Sequence, residues 1–188
     1  MTIFKGNRGI VTISEEKGIK VATKEKNPNS TAIARIEIES IFLKKLNKHH
    51  IGPKIISFKD DKLKMEYIDG ILFEDYIPNS NKPKIMSILK EIINQAYKMD
   101  ILGISKEEMH NPKKHIIIRD DLPVMIDFER SHHTERPKNI TQLIEYIIKL
   151  KPKLEEKGFN LDIEILRNFS KKYKKEQTSI TNLISLIS

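Results

Sequence analysis

The hydrophobic pattern of the chain changes at Asp69-Gly70, and no other feature constrains the fold as strongly. Before this point, short apolar stretches are separated by polar turns, which is typical of β-hairpins. After it, apolar residues recur at the spacing of an amphipathic helix. We therefore predict an α+β fold with a small antiparallel sheet before a mainly helical part. The 188 residues suit a single unit of two lobes, which we place at 1–68 and 69–188.

The sheet of the first lobe is predicted to hold one helix. Strands are expected at 10–13 and 19–23, and a second hairpin over 54–58 and 63–68. Between these hairpins, apolar residues at helical spacing predict an amphipathic helix over 31–47.

The second lobe is predicted to be helical, with two short strands. Pro152 is expected to kink or break one of its helices because proline lacks an amide proton. The helices are expected at 73–77, 84–99, 139–157, 162–175 and 178–187, and the strands at 115–118 and 124–127.

The composition restricts the classes of function. The chain has no cysteine, which excludes disulfides, thiolate zinc sites and cysteine nucleophiles. No apolar run approaches the ~20 residues of a membrane helix and no secretion signal is visible, so we expect a cytoplasmic protein without membrane contact. The net charge of +8 permits contact with RNA or a ribosome, although a basic run such as 171–175 is more often a solvated surface.

Three short motifs carry the chemistry. One is a glycine-rich loop, whose backbone N–H groups can approach phosphate oxygens without a Cβ in the way. The second places a lysine on a strand, and the third places an acid after an apolar strand. The motifs are Gly6-Asn7-Arg8-Gly9-Ile10-Val11, Val21-Ala22-Thr23-Lys24 and Ile126-Asp127-Phe128-Glu129.

In this order the motifs resemble the phosphate-binding and metal-binding parts of a protein kinase. The set is similar to that of small archaeal proteins predicted to be serine/threonine protein kinases, which are related to the RIO kinases and to the minimal kinase of the KEOPS complex. The resemblance implies a bilobal protein-kinase-like fold with a reduced C-lobe. It also implies an ATP- and Mg²⁺-dependent phosphotransferase that transfers the γ-phosphoryl group to a hydroxyl of an unknown protein or small molecule.

The resemblance assigns the glycine loop to the nucleotide phosphates. Gly6 and Gly9 match two of the glycines, while Phe4 stands where kinases have an earlier one. A plain hairpin turn is the alternative. Glu66, at the predicted lobe boundary, is also assigned to nucleotide binding.

Lys24 would reach the α- and β-phosphates, with Lys20 as its nearest rival. A strand has a side-chain period of two, so Ala22 and Lys24 share a face. The small Ala22 would leave room for the adenine ring, and Val11 would cover that ring. An exposed lysine without a function is the alternative for Lys24.

A helix carboxylate is expected to pair with Lys24. Glu39 lies at the edge of the apolar stripe of the helix predicted over 31–47, and a carboxylate in that position needs a cation. Glu37, about 160° round the helix, is the alternative.

Asp127 is the predicted Mg²⁺ ligand because it ends the apolar strand predicted over 124–127, which places its carboxylate at the end of that strand. A helix cap or a turn acid is the alternative. Glu129 stands where the kinase motif has glycine.

The segment that resembles the catalytic loop contains no aspartate. Glu108 is our first choice for the base that accepts the proton of the substrate hydroxyl. If strict spacing is kept, His110 takes that position and His115 takes that of the metal-binding asparagine. Asn111 is a further candidate ligand of the metal, and His115 is alternatively a hydrogen-bonded core histidine.

Three functions therefore compete. The first is an active phosphotransferase, and the second is a kinase-like module that binds nucleotide without transferring phosphate. The third is a basic protein that associates with RNA or a ribosome.

Overall fold

The computed structural model describes residues 2–29, 31, 35–176 and 179–187. The chain forms two compact units. One contains the chain up to Asp69 together with Val124–Ser131, and the other contains Gly70–Pro123 and the chain from His132 onward.

The first unit is built on a five-stranded antiparallel sheet with the strand order β1-β2-β3-β5-β4. This order places β3 at the centre, between β2 and β5. The strands are β1 (Thr2–Lys5), β2 (Gly9–Glu16), β3 (Ile19–Lys26), β4 (Ile55–Lys59) and β5 (Lys62–Glu66).

Helix α1 (Ile36–Leu46) joins β3 to β4 and is followed by a 3-10 turn over Asn47–His49. Its buried face carries Phe42, Leu43 and Leu46. Acidic residues lie in its first turn and basic residues in its last turn, an arrangement that complements the helix dipole. Of the helix predicted over 31–47, residues 32–34 lie outside the described part of the chain.

The second unit is mainly helical, as predicted. The break expected at Pro152 is present, because one helix ends at Lys149 and the next begins at Lys151. The helices are α2 (Phe73–Tyr76), α3 (Lys82–Ile101), α4 (Asn139–Lys149), α5 (Lys151–Glu155), α6 (Ile163–Glu176) and α7 (Thr181–Leu186).

Short strands accompany these helices. Two of them match the predicted strands near 115–118 and 124–127, and three others are only two or three residues long. They form a three-stranded sheet ordered β6-β8-β9 and a two-stranded sheet of β7 and β10. Their bounds are β6 (Ile71–Leu72), β7 (Ile104–Lys106), β8 (Ile116–Arg119), β9 (Leu122–Met125) and β10 (Ser131–His133). Among the described residues, no helix is both long and apolar enough to cross a membrane.

A buried hydrogen-bond network connects three helices of the second unit. The Asp100 carboxylate at the end of α3 accepts from the Asn139 backbone and side-chain N–H groups at 3.0 and 2.7 Å and from the Tyr173 hydroxyl of α6 at 2.9 Å. Burial raises the pKa of Asp100 above its usual range. Asn139 also donates to the Ile104 carbonyl and accepts from the Lys106 N–H, so it fixes β7.

The segment Val124–Ser131 belongs to the first unit, whereas the sequence analysis placed it in the lobe 69–188. The reason is the packing of Phe128, which is fully buried. A Cβ at Gly52 would lie 2.9 Å from Phe128 Cε2 and 2.8 Å from Leu43 Cδ2. Apolar contact with residues far away in the sequence therefore overrides the chain order.

The Gly52→Ala substitution tests this packing, with Gly18→Ala as its matched control. Both glycines have left-handed backbones, with φ values of +80° and +79°, but only Gly52 has neighbours within 4 Å of an added Cβ. We expect Gly18→Ala to lower the free energy of unfolding by about 1 kcal/mol through backbone strain. Gly52→Ala should cost a further ~1–3 kcal/mol through overpacking. Urea denaturation of both variants measures the difference, and equal losses would contradict the packing argument.

Candidate functional site

The Lys24 ammonium lies at the centre of a cluster of charged side chains in the first unit. Its Nζ atom is 2.7 Å from Glu39 Oε2, 3.0 Å from Asp127 Oδ1 and 3.1 Å from Glu129 Oε2. The Lys24 side chain is only 10% exposed, because it projects from the central strand β3. The ammonium thus donates hydrogen bonds to Glu39 and Asp127 and forms an ion pair with Glu129.

Two opposing effects act on the pKa of Lys24. Burial lowers this pKa, but attraction by Glu39, Asp127 and Glu129 outweighs burial and holds the pKa above its ordinary value. A lysine with a raised pKa stabilises the fold below its unfolded pKa and loses this contribution only as the pH rises through the folded value. Lys24 is therefore a permanent cation at neutral pH.

Glu39 holds both Lys24 and the turn that contains Phe128. Its Oε2 accepts from Lys24 and its Oε1 accepts from the Phe128 N–H at 3.0 Å. Burial raises the pKa of Glu39, and the neighbouring Lys24 cation opposes this shift. Helix α1 directs Glu39 into the interior and leaves the alternative, Glu37, exposed. The structure thus brings together Lys24 and the carboxylate that was our first choice.

Asp127 lies in a turn, two residues beyond the end of β9. The prediction placed it on the strand itself. Its backbone is left-handed, with φ of 63°, a conformation that aspartate tolerates better than most residues. This turn buries Phe128 and leaves the Asp127 side chain 34% exposed. The carboxylate therefore contacts Lys24 and remains accessible from solvent.

Glu129 and Arg8 complete the cluster, and the sequence analysis assigned neither of them to the site. Glu129 Oε1 accepts from Arg8 Nη1 at 3.1 Å, while its Oε2 contacts Lys24. The signal was present in the sequence: Arg8 lies between two loop glycines, and Glu129 replaces a glycine beside the predicted metal ligand. A single unusual residue in a motif does not show which other residue its side chain contacts.

The donor set of the cluster fits Mg²⁺. Glu39, Asp127 and Glu129 each offer a carboxylate oxygen, and these atoms all lie within 4.8 Å of one another. Hard oxygen ligands of this kind suit Mg²⁺, which usually takes only one or two protein carboxylates. Asp127 is the most accessible of the three acids.

The glycine loop is a tight hairpin beside Lys24. The Gly6 N–H donates to the Gly9 carbonyl at 2.9 Å, so this N–H group is used within the hairpin. A Cβ at Gly9 would lie 3.1 Å from the Glu25 carbonyl oxygen and 3.6 Å from Lys24 Cε. Glycine thus allows the loop to approach the backbone of Glu25 closely.

The residues expected around the adenine ring also lie in the first unit. Val11 stands opposite Lys24 in the register of β2 and β3, and Ala22 is buried on β3. Glu66 Oε2 accepts from the Lys54 N–H at 3.2 Å, at the end of β5. The nucleotide contacts of Val11, Ala22 and Glu66 stay predictions.

The second unit contains the other predicted site residues. Glu108 has a left-handed backbone with φ of 72°, and its carbonyl accepts from the Asn111 N–H. Glu108 Oε2 lies 3.9 Å from His115 Nδ1, so these two candidates are close together. The backbone carbonyl of the exposed His110 accepts a hydrogen bond from Lys149 Nζ. The catalytic and metal-binding roles of these four residues stay predictions.

The basic run 171–175 lies on α6 of the second unit. Its four lysines are exposed, while Tyr173 is buried. The predicted contact with RNA or a ribosome stays untested.

No protein-family model matches the chain. An uncharacterized protein of Methanocaldococcus jannaschii is 29% identical over 116 residues, which are 59% of this chain and 99% of that protein.

Two similar solved structures are of a kinase. The Rio2 kinase of Chaetomium thermophilum has a TM-score of 0.63 at 15% identity, with 98% of this chain and 68% of that chain covered. Its ADP/Mg²⁺-phosphoaspartate complex has a TM-score of 0.62 at 14% identity, with 98% and 67% covered. The chain therefore has a protein-kinase-like fold of the Rio type, and the predicted fold class is confirmed.

A double-mutant cycle on Lys24 and Glu39 tests the energetics of the cluster. Lys24→Met leaves the Glu39 carboxylate buried without its cation, so we expect a loss of about 3–5 kcal/mol in the free energy of unfolding. Adding Glu39→Gln should restore part of this loss, because the buried charge is gone. Urea denaturation measures the cycle, and additive losses would contradict the coupling.

The effect of pH on the stability of the same variants is a second test of the buried Glu39 charge. A carboxyl with a folded pKa above its unfolded value of 4.5 favours folding at low pH and loses that contribution as the pH rises. Lys24→Met should therefore lose less stability at pH 5 than at pH 8. The double variant, which lacks the Glu39 carboxyl, is the control and should show a smaller difference between the two pH values.

Proposed function

We propose that the chain is an ATP- and Mg²⁺-dependent phosphotransferase with its nucleotide phosphates bound at Lys24. The observation that carries this proposal is the buried Lys24 ammonium, held within 3.0 Å of both Glu39 and the accessible Asp127. A buried cation beside a partly exposed carboxylate offers one group for phosphate oxygens and one for the metal ion. The kinase-like fold supports the same assignment.

Each side chain has a separate task in this proposal. Lys24 binds and orients the α- and β-phosphates, and its burial strengthens the interaction because the local dielectric is low. Glu39 positions Lys24 from α1. Asp127 would hold Mg²⁺, which when bound neutralises the charge of the phosphates.

The loop and the sheet complete the nucleotide site in this proposal. The glycine hairpin at Gly6 and Gly9 covers the phosphates, and Ala22 and Val11 contact the adenine ring. Glu66 is a further nucleotide contact at the end of β5. The Rio2 structure that contains ADP and Mg²⁺ supports these ligands for the present chain.

The acceptor is proposed to be a serine or threonine hydroxyl on a protein, or a hydroxyl of a small molecule. Glu108 is the proposed base, with His110 as the alternative. Asn111 and His115 are the proposed additional ligands of the metal. The neighbouring Rio2 complex contains a phosphoaspartate, so a carboxylate of this chain is a second acceptor to test.

Thermal denaturation with Mg²⁺-ATP tests the nucleotide site. A ligand that binds only the native state at a hundredfold excess over its Kd adds about 2.7 kcal/mol, so the Tm of the wild type should rise by several degrees. Asp127→Asn should abolish the part of the shift that requires Mg²⁺. The matched control is Asp69→Asn, which removes an exposed carboxylate that also pairs with a β3 lysine, Lys20, at 2.7 Å.

The outcomes separate binding from transfer. An unchanged Tm of the wild type, or equal shifts for Asp127→Asn and Asp69→Asn, would count against the nucleotide site. Glu108→Gln should keep the shift and lose transfer of the labelled γ-phosphate. If the wild type binds but never transfers the label, the chain is the binding module that we considered as the alternative. Release of the label by hydroxylamine identifies a phosphoaspartate instead of a hydroxyl ester.

A further inference from the structure

The Glu129 carboxylate bridges two cations of the first unit. One oxygen lies 3.1 Å from Arg8 Nη1 on the glycine loop, and the other lies 3.1 Å from Lys24 Nζ on β3. The Glu129 side chain is only 9% exposed. A single anion with two oxygens thus connects the loop to the lysine that is proposed to bind phosphate.

A phosphate oxygen can reach Lys24 only by replacing one of its carboxylate acceptors. The ammonium has three N–H donors, and three carboxylate oxygens already lie within 3.1 Å of its nitrogen, from Glu39, Asp127 and Glu129. In the described contacts of the cluster, three acids meet two cations, Lys24 and Arg8, so negative charge exceeds positive charge there. Added phosphate therefore has to displace an acid or bring its own cation.

The environment of each acid indicates which one is displaced. Glu39 is 1% exposed and also accepts from the Phe128 N–H, so its removal would break two interactions of the fold. Asp127 has the partly exposed carboxylate that is assigned to the metal. Glu129 is the remaining acid, and its second contact is with Arg8, whose side chain is 44% exposed on a hairpin loop.

We propose that Glu129 occupies the place of a nucleotide phosphate between Arg8 and Lys24, and that Arg8 becomes a phosphate ligand when nucleotide displaces Glu129. This inference rests on the proposed function and adds a specific ligand and a built-in competitor to it. The guanidinium of arginine suits such an exchange, because the geometry of its planar N–H donors matches the oxygens of both carboxylate and phosphate. The ligand class is a polyphosphate chain, carried by a nucleoside or free.

Isothermal titration of the folded full chain without metal tests this competition. The probes are ATP, inorganic tripolyphosphate and, as a ligand without phosphate, adenosine. Glu129→Gln should bind both phosphate ligands about tenfold more tightly than the wild type, which corresponds to the loss of one competing ion pair. Its affinity for adenosine should not change.

Arg8→Gln tests the same proposal from the opposite direction and alters only an exposed hairpin side chain. It should weaken ATP and tripolyphosphate about tenfold and leave adenosine unchanged. The matched controls are Glu25→Gln and Lys62→Gln, which change the net charge by the same amounts as Glu129→Gln and Arg8→Gln. Lys62 Nζ and Glu25 Oε2 form an ion pair at 2.6 Å on the same sheet. Both controls should bind all three probes as the wild type does.

The titrations test the competition by Glu129 and the role of Arg8 separately. The competition is overturned if Glu129→Gln binds the phosphate ligands no more tightly than Glu25→Gln does. The role of Arg8 is overturned if Arg8→Gln binds them more tightly, because Arg8 would then only hold Glu129 in place. Either result leaves the proposed function intact as long as the wild type binds ATP more tightly than adenosine. A wild type that binds ATP neither in this titration nor in the presence of Mg²⁺ overturns both.

Discussion

The buried ammonium of Lys24 is the interaction on which the first unit depends. Its three carboxylate partners come from helix α1 and from the turn after β9, so one cation connects three separate parts of the chain. Each carboxylate would be costly to bury alone, and the cluster is stable only while Lys24 keeps its proton. The charged site is thus also part of the fold.

The sequence predicted the members of this cluster whose positions follow from regular structure. The period of β3 placed Lys24 beside Ala22, and the apolar stripe of α1 favoured Glu39 over Glu37. Glu129 and Arg8 were not found as a pair, because both lie in turns and are far apart in the chain. The left-handed backbone of Asp127 could not be predicted either, since sequence periodicity carries no information about a single turn residue.

The same limit explains the differences in the fold. Long segments with strong periodicity, such as α3, were predicted well, whereas β6, β7 and β10 are too short to show a period. The packing of Phe128 against Gly52 places Val124–Ser131 in the first unit, and this long-range contact has no local signal. The kinase-like fold follows from the comparisons, while the activity depends on the chemistry of the site.

In the proposed site, Lys24 exchanges a carboxylate for a nucleotide phosphate. A crystal structure with Mn²⁺ and a non-hydrolysable ATP analogue measures this most directly, because the anomalous signal locates the metal independently of the nucleotide. We predict Mn²⁺ at the Asp127 carboxylate and a phosphate oxygen at Lys24 Nζ, in the position where Glu129 Oε2 now lies 3.1 Å away. A bound analogue with all three carboxylates still on Lys24, at 2.7–3.1 Å, would contradict the claim.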